Sequence, residues 1–347
     1  GGRHVTAVRI SDLHRYVYDL MERQGLPDSD CETMANIYVE TTLRGVGHHD
    51  IHNLPSRIEA LRSGQIQAKP TFQKLASFGG LERWDGDNGL GEVINHFSMQ
   101  RAIDMAKEHG MGLCAMRNSN HYLCSAPFVT QAARQDCIGL IIAKGVPTMG
   151  MPGIRGNLVG QSPMGFAFPV GGREPVMLDI CLAYASGEQL VQRANHNIPV
   201  PSWWGVDRNG APTTSAAELL KGTKYPIGEH KGFGLAILCE LLTGVLSGGL
   251  ILDQDADLEG IASRSTSHTA IAIRSDALLS EEEYAVRSQE LIQRIQARAS
   301  GVHIPGDASW EKQKAFERSG TVSLEEPLIE TLNGYAREFH IEPLIAG

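Results

Sequence analysis

Apolar residues in the first part of the chain recur at helical spacing. Between positions 10 and 21 they return every three or four residues, and Gly25 ends the pattern, which predicts an amphipathic helix. A second helix is predicted from about residue 30 to residue 43, and a third runs through Ile58 and Leu61 to a stop at Gly64. This part of the chain is therefore expected to be helical.

From about residue 72 the pattern changes to short apolar runs that alternate with helical segments. Strands are predicted at 112–116, 138–143, 165–168 and 176–180, and helices at 94–108 and 127–135. Helical spacing returns at 280–299 and from about 323 to 334. The middle of the chain is therefore expected to form an α/β layer.

The order of these elements predicts an α/β fold in two parts. Both chain ends, 1–72 and 272–347, are expected to form a helical domain, and 73–271 a central mixed-sheet α/β domain. The common dinucleotide motif, G-x-G-x-x-G between a first strand and a helix, is missing, because the glycines at 86, 89 and 91 have another spacing. The central domain is thus predicted not to be a classical Rossmann fold.

Composition narrows the class of protein. The chain of 347 residues has 40 acidic and 31 basic residues, a net charge of −9 and no Lys/Arg block, which argues against nucleic-acid binding. Six cysteines without a C-x-x-C pair favour free thiols in a reducing compartment. With no apolar signal region at the start, a cytoplasmic protein is expected. The apolar stretch 233–252 contains Glu240 and several glycines, so we expect a buried helix followed by a short strand, and no membrane span.

The most unusual loop is 44–55, which carries His48, His49 and His52 between glycines and Pro55. Histidine changes charge near neutral pH, so the loop is a candidate for proton transfer or metal binding, unless two of the three are simply solvated. His48 and His52 have the i, i+4 spacing of a zinc site. A histidine stands where such sites carry the glutamate base, so a zinc hydrolase is only a remote alternative and no metal is predicted.

A turn rich in glycine, residues 228–234, precedes the long apolar helix. Free amides at the helix N-terminus together with Lys231 would suit a pyrophosphate. Equally, Gly232 and its neighbours would permit close packing in a tight turn. The sequence leaves both interpretations open.

Two further polar positions lie at predicted strand ends. The run 117–122, which ends in His121-Tyr122, follows a strand directly, where α/β folds often place ligand-binding residues, although its Asn and Ser residues also suit an ordinary turn. Asp179 ends an apolar strand, and burial without a partner would cost several kcal/mol. Its partner is expected to be either a histidine or backbone N–H groups.

Several stretches together resemble the malate/L-lactate dehydrogenase family of the non-Rossmann type. The resemblance spans nearly the whole chain, and its marks are 44–55, 81–91, 112–122, Asp179, 207–214, 231–235 and 304–306. Each piece is weak alone, whereas their order and spacing are specific.

The resemblance implies a dimeric NAD- or NADP-dependent enzyme that reduces a small 2-oxo acid or oxidises the 2-hydroxy acid, of the malate, lactate or diketogulonate type. His49 takes the place of the proton donor and acceptor, and Asp179 that of its supporting carboxylate. His121 would lie beside the nicotinamide. The remaining cofactor contacts map to Met177, Leu178, Asp179, Ile180, Cys181, Leu182, Ala183, Lys231, Gly232, Pro305, Gly306 and Asp307.

The chain also departs from the family pattern. Around the catalytic histidine it reads His48-His49-Asp50 in place of Ser-His-Gly, and Ser162 stands in place of the asparagine of Thr-Asn-Pro. Asn53 stands where relatives carry an arginine, so Arg44 and Arg57 are the nearest cations for a substrate carboxylate. The candidate substrate residues are His48, Asn53 and Arg44. These departures also suit a catalytically silent relative or one with altered specificity, for example toward an imino acid.

Overall fold

The computed structural model describes residues 5–45, 47, 49–254 and 266–347. Its helices are α1 (Ile10–Arg23), α2 (Asp28–Leu43), α3 (Leu54–Arg62), α4 (Gly91–His109), α5 (Ala126–Ala133), α6 (Gly187–Asn195), α7 (Ala216–Lys221), α8 (His230–Glu240), α9 (Glu281–Gln296), α10 (Asp307–Ser319) and α11 (Glu326–Phe339). Its strands are β1 (Val5–Arg9), β2 (Gln73–Phe78), β3 (Leu81–Asp85), β4 (Met111–Ser119), β5 (Cys137–Ala143), β6 (Pro147–Met149), β7 (Val159–Gly160), β8 (Met164–Val170), β9 (Arg173–Ile180), β10 (Gly205–Val206), β11 (Thr223–Lys224), β12 (Thr266–Arg274) and β13 (Thr321–Glu325).

The two ends of the chain pack together, as the sequence predicts. Strand β1 pairs antiparallel with β13, and the buried hydroxyl of Tyr16 on α1 donates to the carbonyl oxygen of Leu332 on α11 at 2.6 Å. Leu13, Val17 and Leu20 of α1 are fully buried, because the apolar stripe of an amphipathic helix faces the core.

A mixed sheet of seven strands forms the centre, in the order β2-β3-β4-β12-β5-β8-β9. Of its neighbouring strands only β3 and β4 run parallel. Helix α4 packs on β4 and β12, and α5 packs on β5 and β8. This confirms the predicted α/β class with a mixed sheet and without a Rossmann arrangement. The domain boundaries at 73 and 271 stay a prediction, although β12, in the middle of the sheet, continues to Arg274.

The last helix begins later than predicted, and one central strand was not predicted. The helix expected from about 323 begins at Glu326, because Thr321–Glu325 is needed as the strand partner of β1, and it continues through Gly334 to Phe339. The central strand β12 was not predicted. Its buried positions carry small or polar residues, whereas its two large apolar residues, Ile271 and Ile273, are only partly buried, so the run does not show the pattern of a buried strand.

Helix α8 presents a large apolar face outward. It continues as a π-helical turn over Leu241–Val245, and no strand follows it in residues 248–254, contrary to the prediction. Its inward positions carry small or polar residues, such as Ala236 and Thr243, whereas outward residues such as Leu238 are about half exposed. Within the described ranges, no helix is both long and apolar enough to cross a membrane.

Candidate functional site

His49 lies against His121. Their ring centroids are 5.3 Å apart and the planes are inclined by 58°, so residues 72 positions apart in the chain meet in one place. His49 belongs to the half-buried loop between α2 and α3, and His121 follows β4 directly. The structure thus brings together two of the predicted site histidines.

The imidazole of His121 is clamped through its Nδ1 atom. Nη2 of Arg57 donates to Nδ1 and to the backbone oxygen of His121, both at 3.1 Å, and the backbone N–H of Leu123 also donates to Nδ1 at 3.2 Å. Arginine has no acceptor atom, so Nδ1 accepts these bonds and the ring proton lies on Nε2. The ring reaches solvent on one side, while the protein crowded around it and the charge of Arg57 lower its pKa well below the ordinary value.

Arg57 is itself anchored by a buried carboxylate. Its Nε donates to Glu92 Oε1 at 2.8 Å, and the Tyr38 hydroxyl donates to the same oxygen at 2.9 Å. The Glu92 side chain is 0 % exposed. A chain of contacts therefore runs from the core, through Glu92 and Arg57, to His121.

A further histidine, His268, lies on the buried side of the site. His268 on β12 is fully buried, its ring meets that of Tyr122 edge-on at 4.9 Å, and its Nδ1 lies 3.2 Å from Asn95 Nδ2. Burial lowers the pKa of His268 to about 3, so this ring is neutral at physiological pH.

Asp179 contacts the segment that follows His121 in the chain. Its Oδ2 accepts the backbone N–H of Ala126, at the start of α5, at 3.0 Å. The residue is accessible to solvent, yet the surrounding protein raises the pKa of its carboxyl group, although bonds from Ala126 and Ser125 act in the opposite direction. His49 and Asp179 thus flank one stretch, 121–126, and the predicted backbone N–H partner of Asp179 is present.

Strand β9, at the edge of the sheet, links the predicted cofactor residues. Met177 donates its N–H to Pro305 at 3.1 Å, and a Cβ on Gly306 would lie 3.2 Å from Met177. Beyond the strand end, Leu182 accepts the N–H of Ile227 at 2.8 Å, next to the turn before α8. Residues 177–183 therefore contact both the loop 304–307 and the segment that leads into α8. Asp307, by contrast, has its carboxylate in an ion pair with Arg173.

The structure of the turn before α8 bears on the two interpretations that the sequence left open. The N–H groups of Lys231 and Gly232 donate to the carbonyl oxygens of Gly228 and Ile227, at 3.1 and 3.0 Å, so these amides are not free for a phosphate. A Cβ on Gly232 would lie 2.4 Å from Ile227 O, which explains this glycine by close packing. The Lys231 side chain is exposed, and within the described part of the chain it has no ion pair.

The candidate substrate residues differ in their surroundings. Arg44 is 2 % exposed, binds Glu40 at 2.5 Å and lies over the Trp310 ring at 4.5 Å, so its charge is already engaged inside the protein. The Oδ1 atom of Asn53 is buried without a partner among the described residues. His48 lies outside the described residues.

Asp50, which departs from the family glycine, shapes the histidine loop. One carboxylate oxygen accepts from Gly47 N at 3.1 Å, and the other bonds both the backbone N–H and the Nδ1 of His52, at 3.0 and 2.6 Å. The hydrogen bond to Asp50 raises the pKa of His52. Within the ranges given above, no group of three metal-ligating side chains is placed to hold an ion.

Sequence reasoning missed the anchoring role of Arg57, and it missed Glu92 and His268 entirely. Arg57 and Glu92 are 35 positions apart, and nothing in their local patterns pairs them. The available signal was a charged residue, Glu92, among inward helix positions that are mostly apolar but also include Asn95 and Ser98.

Comparison with known proteins identifies one family. The profile of the malate/L-lactate dehydrogenase family matches residues 8–333. The L-sulfolactate dehydrogenase of Methanocaldococcus jannaschii is 30 % identical over 314 residues, which cover 88 % of this chain and 90 % of that protein. A 2,3-diketo-L-gulonate reductase of Salmonella heidelberg is 29 % identical over 282 residues, covering 78 % of this chain and 81 % of the reductase.

Solved structures show the same fold. The sulfolactate dehydrogenase from Methanocaldococcus jannaschii superposes with a TM-score of 0.87 at 27 % identity, covering 97 % of this chain and 98 % of the other. A malate dehydrogenase from Entamoeba histolytica reaches 0.91 at 19 % identity, covering 98 % and 99 % of the two chains.

Proposed function

The chain belongs to the malate/L-lactate dehydrogenase family, and from this premise we propose that it transfers a hydride between NAD or NADP and C2 of a small 2-oxo or 2-hydroxy acid. Its named relatives act on sulfolactate, malate and diketogulonate as dehydrogenases or reductases, so an acid of this kind is the substrate class. The identity of the acid is left to the assay described below.

The observation that carries the proposal is the common segment 121–126. His49 lies against its first residue, and Asp179 accepts an N–H from its last. A titratable imidazole and a carboxylate on one short stretch suit proton transfer to a reacting oxygen. We assign His49 as general acid in reduction and general base in oxidation, a contribution of about 10²–10⁴-fold. Asp179 supplies the negative charge that favours the protonated imidazole.

The contacts of residues 177–183 with the loop 304–307 and with the segment before α8 suit an extended nucleotide. A nicotinamide cofactor would supply the hydride acceptor or donor. Residues 177–183, the exposed Lys231 and the loop at Pro305 and Gly306 would hold it, with His121 near the ring. Lys231 offers its side chain to the diphosphate as a point charge, since the amides of its turn are already bonded.

The substrate acid is proposed to lie between His49 and Asn53. Arg44 is removed from the substrate residues by its burial, and His48 stays a proposal. The Oδ1 atom of Asn53, buried and without a partner within the described part of the chain, suits a hydrogen-bond donor on the ligand, such as the 2-hydroxyl or a 2-imino group. This is why imino acids belong in the substrate panel.

The test combines binding and turnover. NADH and NADPH are titrated by fluorescence, and 2-oxo and 2-imino acids are then assayed with the cofactor that binds. We expect His49→Ala to lose about 10²-fold or more in turnover while binding the cofactor as before. His109→Ala, an exposed histidine at the end of α4, is the matched control and should retain full activity.

Each other outcome has a clear meaning. Full turnover in His49→Ala removes this residue from the mechanism. Binding of neither nucleotide favours a catalytically silent relative. Stoichiometric zinc in the purified protein, measured by elemental analysis, would support the hydrolase alternative.

We also propose that a second copy of the chain covers the outward face of α8, giving a homodimer. Leu235, Leu238, Leu241 and Val245 are spaced by three or four residues and are 42–52 % exposed. A self-complementary apolar face is what a two-fold interface requires. Light scattering on a sizing column should give a dimer, and Leu238→Glu a monomer. Val191→Glu, an exposed apolar residue on α6, is the control that should remain dimeric.

A further inference from the structure

The buried ion pair between Arg57 and Glu92 lies behind the site and takes no part in the proton transfer assigned above. Glu92 lies on α4 and is fully buried, and Arg57 lies on α3 and is largely buried. Buried charge pairs are weak sources of stability, because desolvation offsets much of their attraction. Their retention at the site therefore calls for a role beyond holding two helices together.

The geometry of Arg57 supplies such a role. One of its nitrogens, Nη2, has two N–H bonds, and it reaches both the Nδ1 atom and the carbonyl oxygen of His121 at 3.1 Å. The ring and the backbone of His121 are thus held by one planar group. Glu92 holds the Nε side of the same plane, which prevents its rotation.

The backbone after His121 adds a second donor. Leu123 adopts a left-handed conformation, with φ of 69°, which non-glycine residues rarely adopt. Its N–H is directed at Nδ1 of His121 at 3.2 Å. A strained conformation persists only where surrounding contacts enforce it, and such sites cluster where function needs one geometry.

We propose that Arg57, anchored by Glu92, is a positioning residue that holds His121 in its neutral, Nε2-protonated form, so that His121 is a fixed hydrogen-bond donor and not a second general acid. With two donors on Nδ1, a proton cannot be added there without breaking both bonds. The Nε2–H is left for a ligand oxygen or for His49. The ionisable groups around the ring, Arg57, His49 and His268, all oppose its protonation.

This assignment gives the two histidines, His49 and His121, different roles. His49 changes its protonation state during the reaction, whereas His121 keeps one state and orients its partner. The catalytic consequence rests on the proposed function, but the tautomer itself does not, since it can be measured without substrate.

The experiment is a heteronuclear NMR titration of the full chain with ¹⁵N-labelled histidine, with His121→Gln used to assign the ring. We expect His121 to show a protonated Nε2 and an accepting Nδ1, without titration across neutral pH. In Arg57→Gln, the pKa of His121 should rise from its lowered value, because the charge of Arg57 is gone while burial still opposes protonation, and the ring should populate both tautomers. Arg62→Gln, on the exposed side of the same helix and paired with Glu338, is the matched control and should leave the ring unchanged.

Kinetics provide the readout of positioning. We expect Arg57→Gln to lower kcat by about 10²-fold, with a smaller change in KM, and to add an ionisation of His121 on the acid side of the pH profile. Arg57→Lys should restore part of the rate, because lysine restores the positive charge but not the planar set of N–H donors of the guanidinium group.

The results separate the two proposals. A protonated Nδ1 or an ordinary titration of His121 in the unmodified chain overturns the inference, whether or not the variants fold. So does an unchanged tautomer in Arg57→Gln. If the NMR result is as expected but no acid is turned over, the positioning stands and the proposed function fails.

Discussion

The stability of the Arg57–Glu92 pair can be predicted from its burial. Glu92 is 0 % and Arg57 10 % exposed at the side chain, and Glu92 Oε1 accepts from both Arg57 and Tyr38. Removing one partner of such a pair leaves a buried charge without compensation and costs about 3–5 kcal/mol. We therefore expect Arg57→Met and Glu92→Gln each to lower the free energy of unfolding by about this amount.

The double variant should cost far less than the sum. With both charges gone, the glutamine oxygen still accepts the Tyr38 hydroxyl. Its amide nitrogen, however, replaces Oε2, which has no partner among the described residues. One unsatisfied polar group costs about 1–3 kcal/mol. The two single losses add to about 6–10 kcal/mol, so the coupling between the residues should be about 3 kcal/mol or more.

Urea unfolding followed by circular dichroism and by fluorescence measures all four proteins. Coincident transitions are required before free energies are compared, since a chain of this length need not unfold in two states. Losses that add to within about 0.5 kcal/mol would refute the reasoning, because independent sites behave in that way.

Three further predictions follow from single contacts. Asp50→Asn should lower the pKa of His52 toward its usual value, as followed by NMR. Because the pKa of His52 is raised in the folded state, its bond to Asp50 stabilises the folded protein at a pH below the pKa of the unfolded state, and this stabilisation is lost as the pH rises through the folded pKa. The variant should therefore be less stable than the parent at acid pH and equally stable at alkaline pH. An unchanged His52 pKa would contradict this. Of the six cysteines, five are buried and Cys181 is partly exposed, so iodoacetamide followed by peptide mapping should label Cys181 before the others. Bound cofactor should slow the labelling of Cys181. Equal labelling of all six would show an open core. Tyr16→Phe should lower the free energy of unfolding by about 1 kcal/mol without changing activity, because its hydroxyl donates to Leu332 far from the site; an equal stability in urea would show that this bond contributes nothing.

Local patterns predicted most of the elements that bury one face. The stripe in α1 and the apolar runs of β5 and β9 are periodic on their own, and their ends carry turn residues. Strand β12 was not predicted, because it is buried by pairing with its neighbours, β4 and β5, and its buried positions carry no large apolar side chains. Thr269 and Ala270 are small because the centre of the sheet has little room under α4.

The sequence by itself determined the fold class and the family, because these depend on the order and local periodicity of segments along the chain, and the resemblance to that family singled out His49, His121 and Asp179 as candidates. Only the tertiary structure decided which groups act on those residues. It placed Arg57 on Nδ1 of His121, directed Arg44 away into the core, and satisfied the amides of the turn before α8. The physical reason is that charge pairing and burial are set by residues distant in sequence, and a local pattern carries no record of what a side chain will meet when the chain folds.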